Sequence, residues 1–374
     1  MNISKLAKRL VMGAALLFAC GYSYSALAQY NDGARYGFTT SATENTLHII
    51  DVHKQEAVET VQLKFAPDEV LASEPLKALV IPHSAEKRLT LIDLHGKGLT
   101  QIDYQLSITP EELLLSPLGD SVAIYDSKTK IIEVHALKRQ EVLLRVEDVQ
   151  AENAFTYSLD GSTLFWTDQS KGQLASVDLW SERQSLKVAG PGDKLSAVTR
   201  STDGRLGFIS NFDRNQVVVI GLRDMKVLAE VPVGSGPERA WGTTDGQYML
   251  VPNTVDNSVS AISTLSLTTL YTVPVAEAPI SINTGWLDSV AAVVGKNGQL
   301  SFLEVETGKP LASEDFHTPT TQGVVTSDSK TLTVSSAGSV AFFDMRDQSL
   351  TSRIDELPAD LSQMTLAVSN NLCH

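Results

Sequence analysis

Eight residues stand 41 to 45 positions apart along the chain: Glu69, Glu112, Asn153, Lys194, Arg239, Ser281, Gln322 and Gln363. Brought to one place they form a ring of two carboxylates, two cations, amides and a hydroxyl, with Trp241 two positions beyond Arg239. Such a ring can hold a polar ligand. A guanidinium grips a carboxylate with paired hydrogen bonds or stacks on an aromatic face. The same groups can also satisfy one another and bind only channel water.

Metal chemistry has a thinner basis. None of the seven histidines forms His-x-His or His-x-x-x-His, and the two cysteines are far apart. His83 and His317 fall in loops expected on the ligand-bearing face, where a metal site would have to draw on both. His48, His53, His95 and His135 lie on or beside outer strands and are expected to face solvent. Cys373-His374 at the terminus offers a soft-metal or intermolecular disulfide handle, but chain ends fray.

Catalytic signatures are missing from the sequence. There is no Gly-x-Ser-x-Gly elbow, no Cys-x-x-Cys-His haem attachment and no Gly-rich phosphate loop. Glu111 and Glu112, adjacent on a strand, point to opposite faces and cannot act as a pair. Thr307-Gly308-Lys309 occurs once and reads as an ordinary hairpin. A non-catalytic binding protein is the expectation, and the sequence itself demands no cofactor, which leaves a metal or a haem-like group open.

The regular spacing calls for a repeated structural unit. Short apolar runs end at Asp51, Asp93, His135, Asp178, Gly221, Ser263, Glu304 and Asp344, at intervals of 40 to 43 residues. A second marker, a turn of the Ser-x-Asp-Gly type, keeps step with them at Ser73, Ser116, Ser158, Ser201, Thr243, Gly285, Ser327 and Ser369. A fixed period near 42 residues is the mark of a propeller array.

Within a unit, Leu206–Ile209, Gln216–Ile220 and Lys226–Val233 are runs of four to eight β-branched and apolar residues bounded by Asn, Asp, Gly and Pro, and so predict strands. Four antiparallel strands per unit define an all-β fold, a β-propeller of eight four-stranded blades. The first unit begins at Tyr36 with three strands. The spare strand Gln363–Ser369 is expected to complete it, closing the ring with the C terminus and removing its open edges. A seven-bladed ring is the alternative and requires dropping one unit, the third being the weakest because His135 replaces its acidic residue.

The segments 207–247 and 250–282 carry a recognisable signature. Ser210-Asn211 and Pro252-Asn253 stand where Thr-Asn is the rule, followed by a D/N-rich loop, a β-branched strand, Val233-Gly234 and Pro237. This pattern resembles the YVTN family of β-propeller repeats, strongly here and loosely over the remainder of the chain. The resemblance implies the fold. It also implies a range of activities: exported binding scaffolds, zinc-handling periplasmic proteins, and the propellers of amine dehydrogenases and haem-d1 nitrite reductases. One fold hosts many functions, so the site must decide.

Residues 1–28 resemble an export signal: Lys5, Lys8 and Arg9, then the apolar run Leu10–Ala19, then Ala26-Leu27-Ala28 before the cut. That run is shorter than the roughly 20 residues a membrane-spanning helix needs. Leu17-Phe18-Ala19-Cys20 resembles a lipoprotein cleavage box, which makes a lipid anchor at Cys20 the alternative processing. The expected organisation is a signal at 1–28, a lead at 29–35 and a single propeller at 36–374, in the periplasm or secreted. Losing Lys5, Lys8 and Arg9 takes the formal charge from −14 to −17. That charge disfavours nucleic acid and favours a basic protein partner. With Cys373 alone after cleavage no intramolecular disulfide forms, so burial and hydrogen bonding must hold the fold.

Overall fold

The computed structural model describes residues 30–95, 98–168, 171–181, 184–188 and 194–369, and all regular structure among them is β. Eight four-stranded antiparallel sheets form the blades of an eight-bladed propeller. Blades 2 to 8 each use four consecutive strands. Blade 1 joins Tyr36–Ser41, Thr46–Asp51 and Glu56–Gln62 to the C-terminal pair Thr365–Leu366. The closing strand is shorter than the run predicted over 363–369, with isolated bridges at Leu361 and Ser369 on either side of it.

The second and third strands of each blade read as continuous apolar runs because both their faces are covered. Successive side chains on a strand point to opposite faces. In blade 5 Phe208 enters the core shared with Met249 and Ile262 of blade 6, while its neighbour Ile209 enters the core shared with Phe165 and Leu174 of blade 4. Each such side chain contributes about 1.5–3 kcal/mol on burial. The outermost strands are covered on one side only, and they alternate or stay exposed, as in Thr268–Pro274. In six blades these strands slip register by one residue against the third strand, near its middle.

Turn chemistry sets the period. The residue before the third strand takes a left-handed φ in all eight blades: Asn45, Lys87, Lys130, Gly172, Asn215, Asn257, Gly298 and Gly338. Asn and Gly dominate because they tolerate that region best. At the opposite face the Ser/Thr-x-Asp-Gly marker is a hydrogen-bonded turn. Ser201 Oγ donates to Asp203 Oδ1 at 2.6 Å, and Gly204 follows at φ +74. The matching residue in blade 8 is Thr326, which donates to Asp328 at 2.7 Å, so the marker lies one position before Ser327.

Ring closure is dense in polar contacts. Thr40 N donates to Ser362 Oγ at 2.9 Å, and Ser41 Oγ and Thr43 N donate to Asp360 at 2.7 and 2.8 Å. Burial pushes the Asp360 carboxyl up, but these donors outweigh it and hold it below the ordinary range. Leu361, Met364 and Leu366 pack with Ile50, Val52, Val340 and Phe342. The lead also joins the body, since Tyr30 is buried with Phe38 and Leu79.

Candidate ligand site at the channel mouth

The innermost strands converge on the propeller axis, and the loops leading into them share one face with the loops joining second and third strands. A cavity of about 850 Å³ opens there. Its wall draws on blades 2 to 8 and includes Glu69, Glu112, Lys194, Arg239, Trp241 and Gln322. Six of the residues singled out from spacing therefore meet around one space. Gln363 is exposed and outside that wall. Asn153 is on the innermost strand Ala151–Tyr157 of blade 4, its side chain outside the described set. Ser281 is fully buried and receives bonds from Asn283 Nδ2 and Gly323 N at 3.3 Å each; it braces blades 7 and 8 instead of facing the mouth.

Charge around the mouth is sorted by blade. Blades 2 and 3 supply Asp68, Glu69, Glu111 and Glu112; blades 5 and 6 supply Lys194 and Arg239, with Glu238 between them. In a ring of eight, blades four places apart face each other, so Glu69 stands across the channel from Arg239. Asp68 and Glu111 are tied back, accepting from Ser84 N at 2.6 Å and Ser127 N at 2.9 Å. Lys194 Nζ lies 4.0 Å from the Phe212 ring centroid and 3.8 Å from Glu238. Arg239 Nε reaches Thr199 Oγ1 at 3.4 Å. Trp241 and Phe155, both buried, supply apolar wall.

Burial, then the charges of Asp68 and Glu112, push the Glu69 carboxyl up to about 7. An acid with a raised folded pKa contributes stability below its unfolded value near 4.5 and loses it as pH climbs to about 7. Glu69→Gln is therefore expected to stabilise the fold by about 2 kcal/mol at pH 8, after allowance for partial exposure. The gain should vanish at pH 4. Urea denaturation at both values tests this, and equal gains at the two would rule out the titration.

The histidines require two corrections. His83 is fully buried, with Nδ1 2.9 Å from Ala66 O and Nε2 2.8 Å from Thr90 Oγ1, so both ring nitrogens are engaged inside blade 2 and neither faces the mouth. His317 is exposed beside Asp315. No group of three or more metal-ligating side chains occurs among the described residues. His53 and His95 are exposed as expected, but His48 and His135 are buried because third strands sit inside the seams between blades. Burial pushes the His48 imidazole down. His135 Nε2 lies 2.9 Å from Glu133 Oε2, and its Nδ1 lies 2.7 Å from Tyr104 Oη. Cys20, Cys373 and His374 lie outside the described residues.

Spacing alone missed Phe155, Phe212 and Glu238. Each is within two positions of a residue it did find, or of the Asn211 marker, so the signal lay in the neighbours.

Fold and mouth together define an eight-bladed β-propeller with a polar, aromatic-walled channel entrance. Solved β-propellers share the fold. The dihydro-heme d1 dehydrogenase NirN, solved in complex with DHE, superposes with a TM-score of 0.76 at 14% identity over 92% of this chain and 77% of its own. Apo AztD from Citrobacter koseri superposes at 0.64 and 13% identity over 88% and 97%. BamB from Moraxella catarrhalis does so at 0.63 and 11% identity over 87% and 92%. No family model and no curated protein sequence matches the chain, so the likeness to YVTN repeats rests on the repeat pattern alone.

Proposed function

We propose that this chain is an exported β-propeller without catalytic activity that captures a small ligand, or the end of a protein partner, at the mouth of its channel. The observation that carries this is the cavity of about 850 Å³ in which carboxylates of blades 2 and 3 face cations of blades 5 and 6 over an aromatic wall. A volume of that size suits a drug-sized molecule. Export rests on the pattern of residues 1–28, and no helix among the described residues is long and apolar enough to cross a membrane.

Two cofactor alternatives fit the side chains less well. NirN is solved with DHE, but the cavity wall here has no His, Cys, Met or Tyr among the described residues to face the iron of a haem-like group. Zinc handling lacks a ligand cluster for the same set of residues.

Protein isolated gently from the exported fraction is expected to retain its ligand in native mass spectrometry. An Arg239→Ala, Trp241→Ala double variant should lose it, since Arg and Trp anchors in a binding site, here a half-buried Arg239 and a buried Trp241, each carry at least a ~30-fold share of binding. Equal retention by the double variant would place binding elsewhere.

A further inference from the structure

The mouth contains more carboxylates than it can use for binding, and sorting them identifies the ligand class. Asp68 and Glu111 are committed to the backbone of their own loops, and Glu238 sits beside Lys194. Of the acidic groups in the cavity wall, that leaves Glu69, with Glu112 beside it. Glu69 is half-buried and makes no hydrogen bond or ion pair among the described residues. The charges of Asp68 and Glu112 beside it repel it. A desolvated carboxylate in that position is stabilised by an arriving cation. On the far side Arg239 and Lys194 present positive charge to an arriving anion, offset in part by Glu238, 3.8 Å from Lys194.

A ligand meeting both demands carries one charge of each sign, the two set on different sides of the channel, since Glu69 is on blade 2 and Arg239 on blade 6 of eight. A single amino acid places its two charges on neighbouring atoms of one carbon and cannot bridge opposite blades. Chain length solves this, at about 3.3 Å per extended residue. Between the charged ends the wall includes Phe155, Trp241, Pro279 and Ile280 among its polar residues. Apolar side chains therefore have somewhere to go.

Resting on the mouth being the binding site, we propose that its ligand is a short peptide with both termini free, the ammonium group held by Glu69 and Glu112 and the carboxylate by Arg239 and Lys194. Recognition of this kind is indifferent to most of the side-chain sequence and strict about the ends.

The test uses the full mature chain, native mass spectrometry at pH 7.5 and low salt, and a randomised tetrapeptide pool offered in three forms: free, N-acetylated and C-amidated. The free pool is expected to bind, and either cap should weaken retention tenfold or more, as loss of a charge-assisted bond does. Glu69→Gln should weaken the free pool by a similar factor while leaving the N-acetylated pool unchanged; Arg239→Gln should do the converse with the C-amidated pool. The thermal transition of each variant shows that it is folded. Three forms bound equally, binding that survives N-acetylation, or no retention of the free pool would each overturn the peptide assignment. The ligand-loss test on Arg239 and Trp241 decides separately whether the mouth binds anything at all, so the two ideas fail by different results.

Discussion

A chain truncated after Ile354 is expected to lose its cooperative unfolding transition and to associate. The deletion removes Leu361, Met364 and Leu366 from their core, and burial of three such side chains is worth roughly 5–9 kcal/mol. That is comparable with the entire stability of a typical domain, about 5–15 kcal/mol. It also strips Ser362 and Asp360 from Thr40, Ser41 and Thr43, and uncovers the ladder edge of Tyr36–Ser41. Circular dichroism on heating and sedimentation velocity measure the two effects. A monomer with the full-length melting temperature would show that the C-terminal pair is decoration and not a clasp.

Glu133→Ala should have the next largest effect, about 3–5 kcal/mol of destabilisation. Glu133 is buried to 1% exposure in the third strand of blade 3. It accepts from Ser107 Oγ at 2.8 Å, from His135 at 2.9 Å and from Arg145 Nη1. Burial pushes its carboxyl up, but the bonds from His135, Ser107 and Arg145 outweigh that and hold it below the ordinary range. A depressed folded pKa means stability that is present above the unfolded value near 4.5 and lost as pH falls through the folded one. The deficit of the variant against the natural protein, followed by urea denaturation, should therefore shrink as pH drops below about 4.5. A deficit constant with pH would assign the cost to lost packing, not lost charge.

The contrast between these two sites explains what could be seen from sequence. Closure was visible because Gln363 to Ser369 carries the marker that precedes other second strands, so the arithmetic of units left one strand unclaimed. The network at Glu133 was hidden because its partners come from three places, Ser107, His135 and Arg145, and no local rule joins them. His48 and His135 misled for a related reason. A polar residue in an alternating strand normally faces water, but a strand inside a seam has no watery face, and His48 instead meets Thr46 and Thr60. The innermost strands were the faintest elements. Trp241–Gly242 and Thr365–Leu366 form two ladder pairs each, too few for periodicity to register. Their positions followed from counting, and with them most of the mouth, since Glu69, Glu112, Lys194 and Arg239 are repeats of a single position. Which of them engage one another, and that Ser281 turns inward to brace blade 8, depends on contacts across blades.

The slipped register of the outer strands has a meaning for the protein among its neighbours. Those strands carry exposed Val142, Leu228, Leu270 and Leu350 on a perimeter of eight free β-edges. Flat edges of that kind are templates on which other molecules add strands and grow fibres. In six of the eight blades a one-residue bulge twists that edge away from the straight geometry that stacking needs. A rim of that shape opposes strand addition by geometry, which salt does not screen as it screens the repulsion between net negative charges.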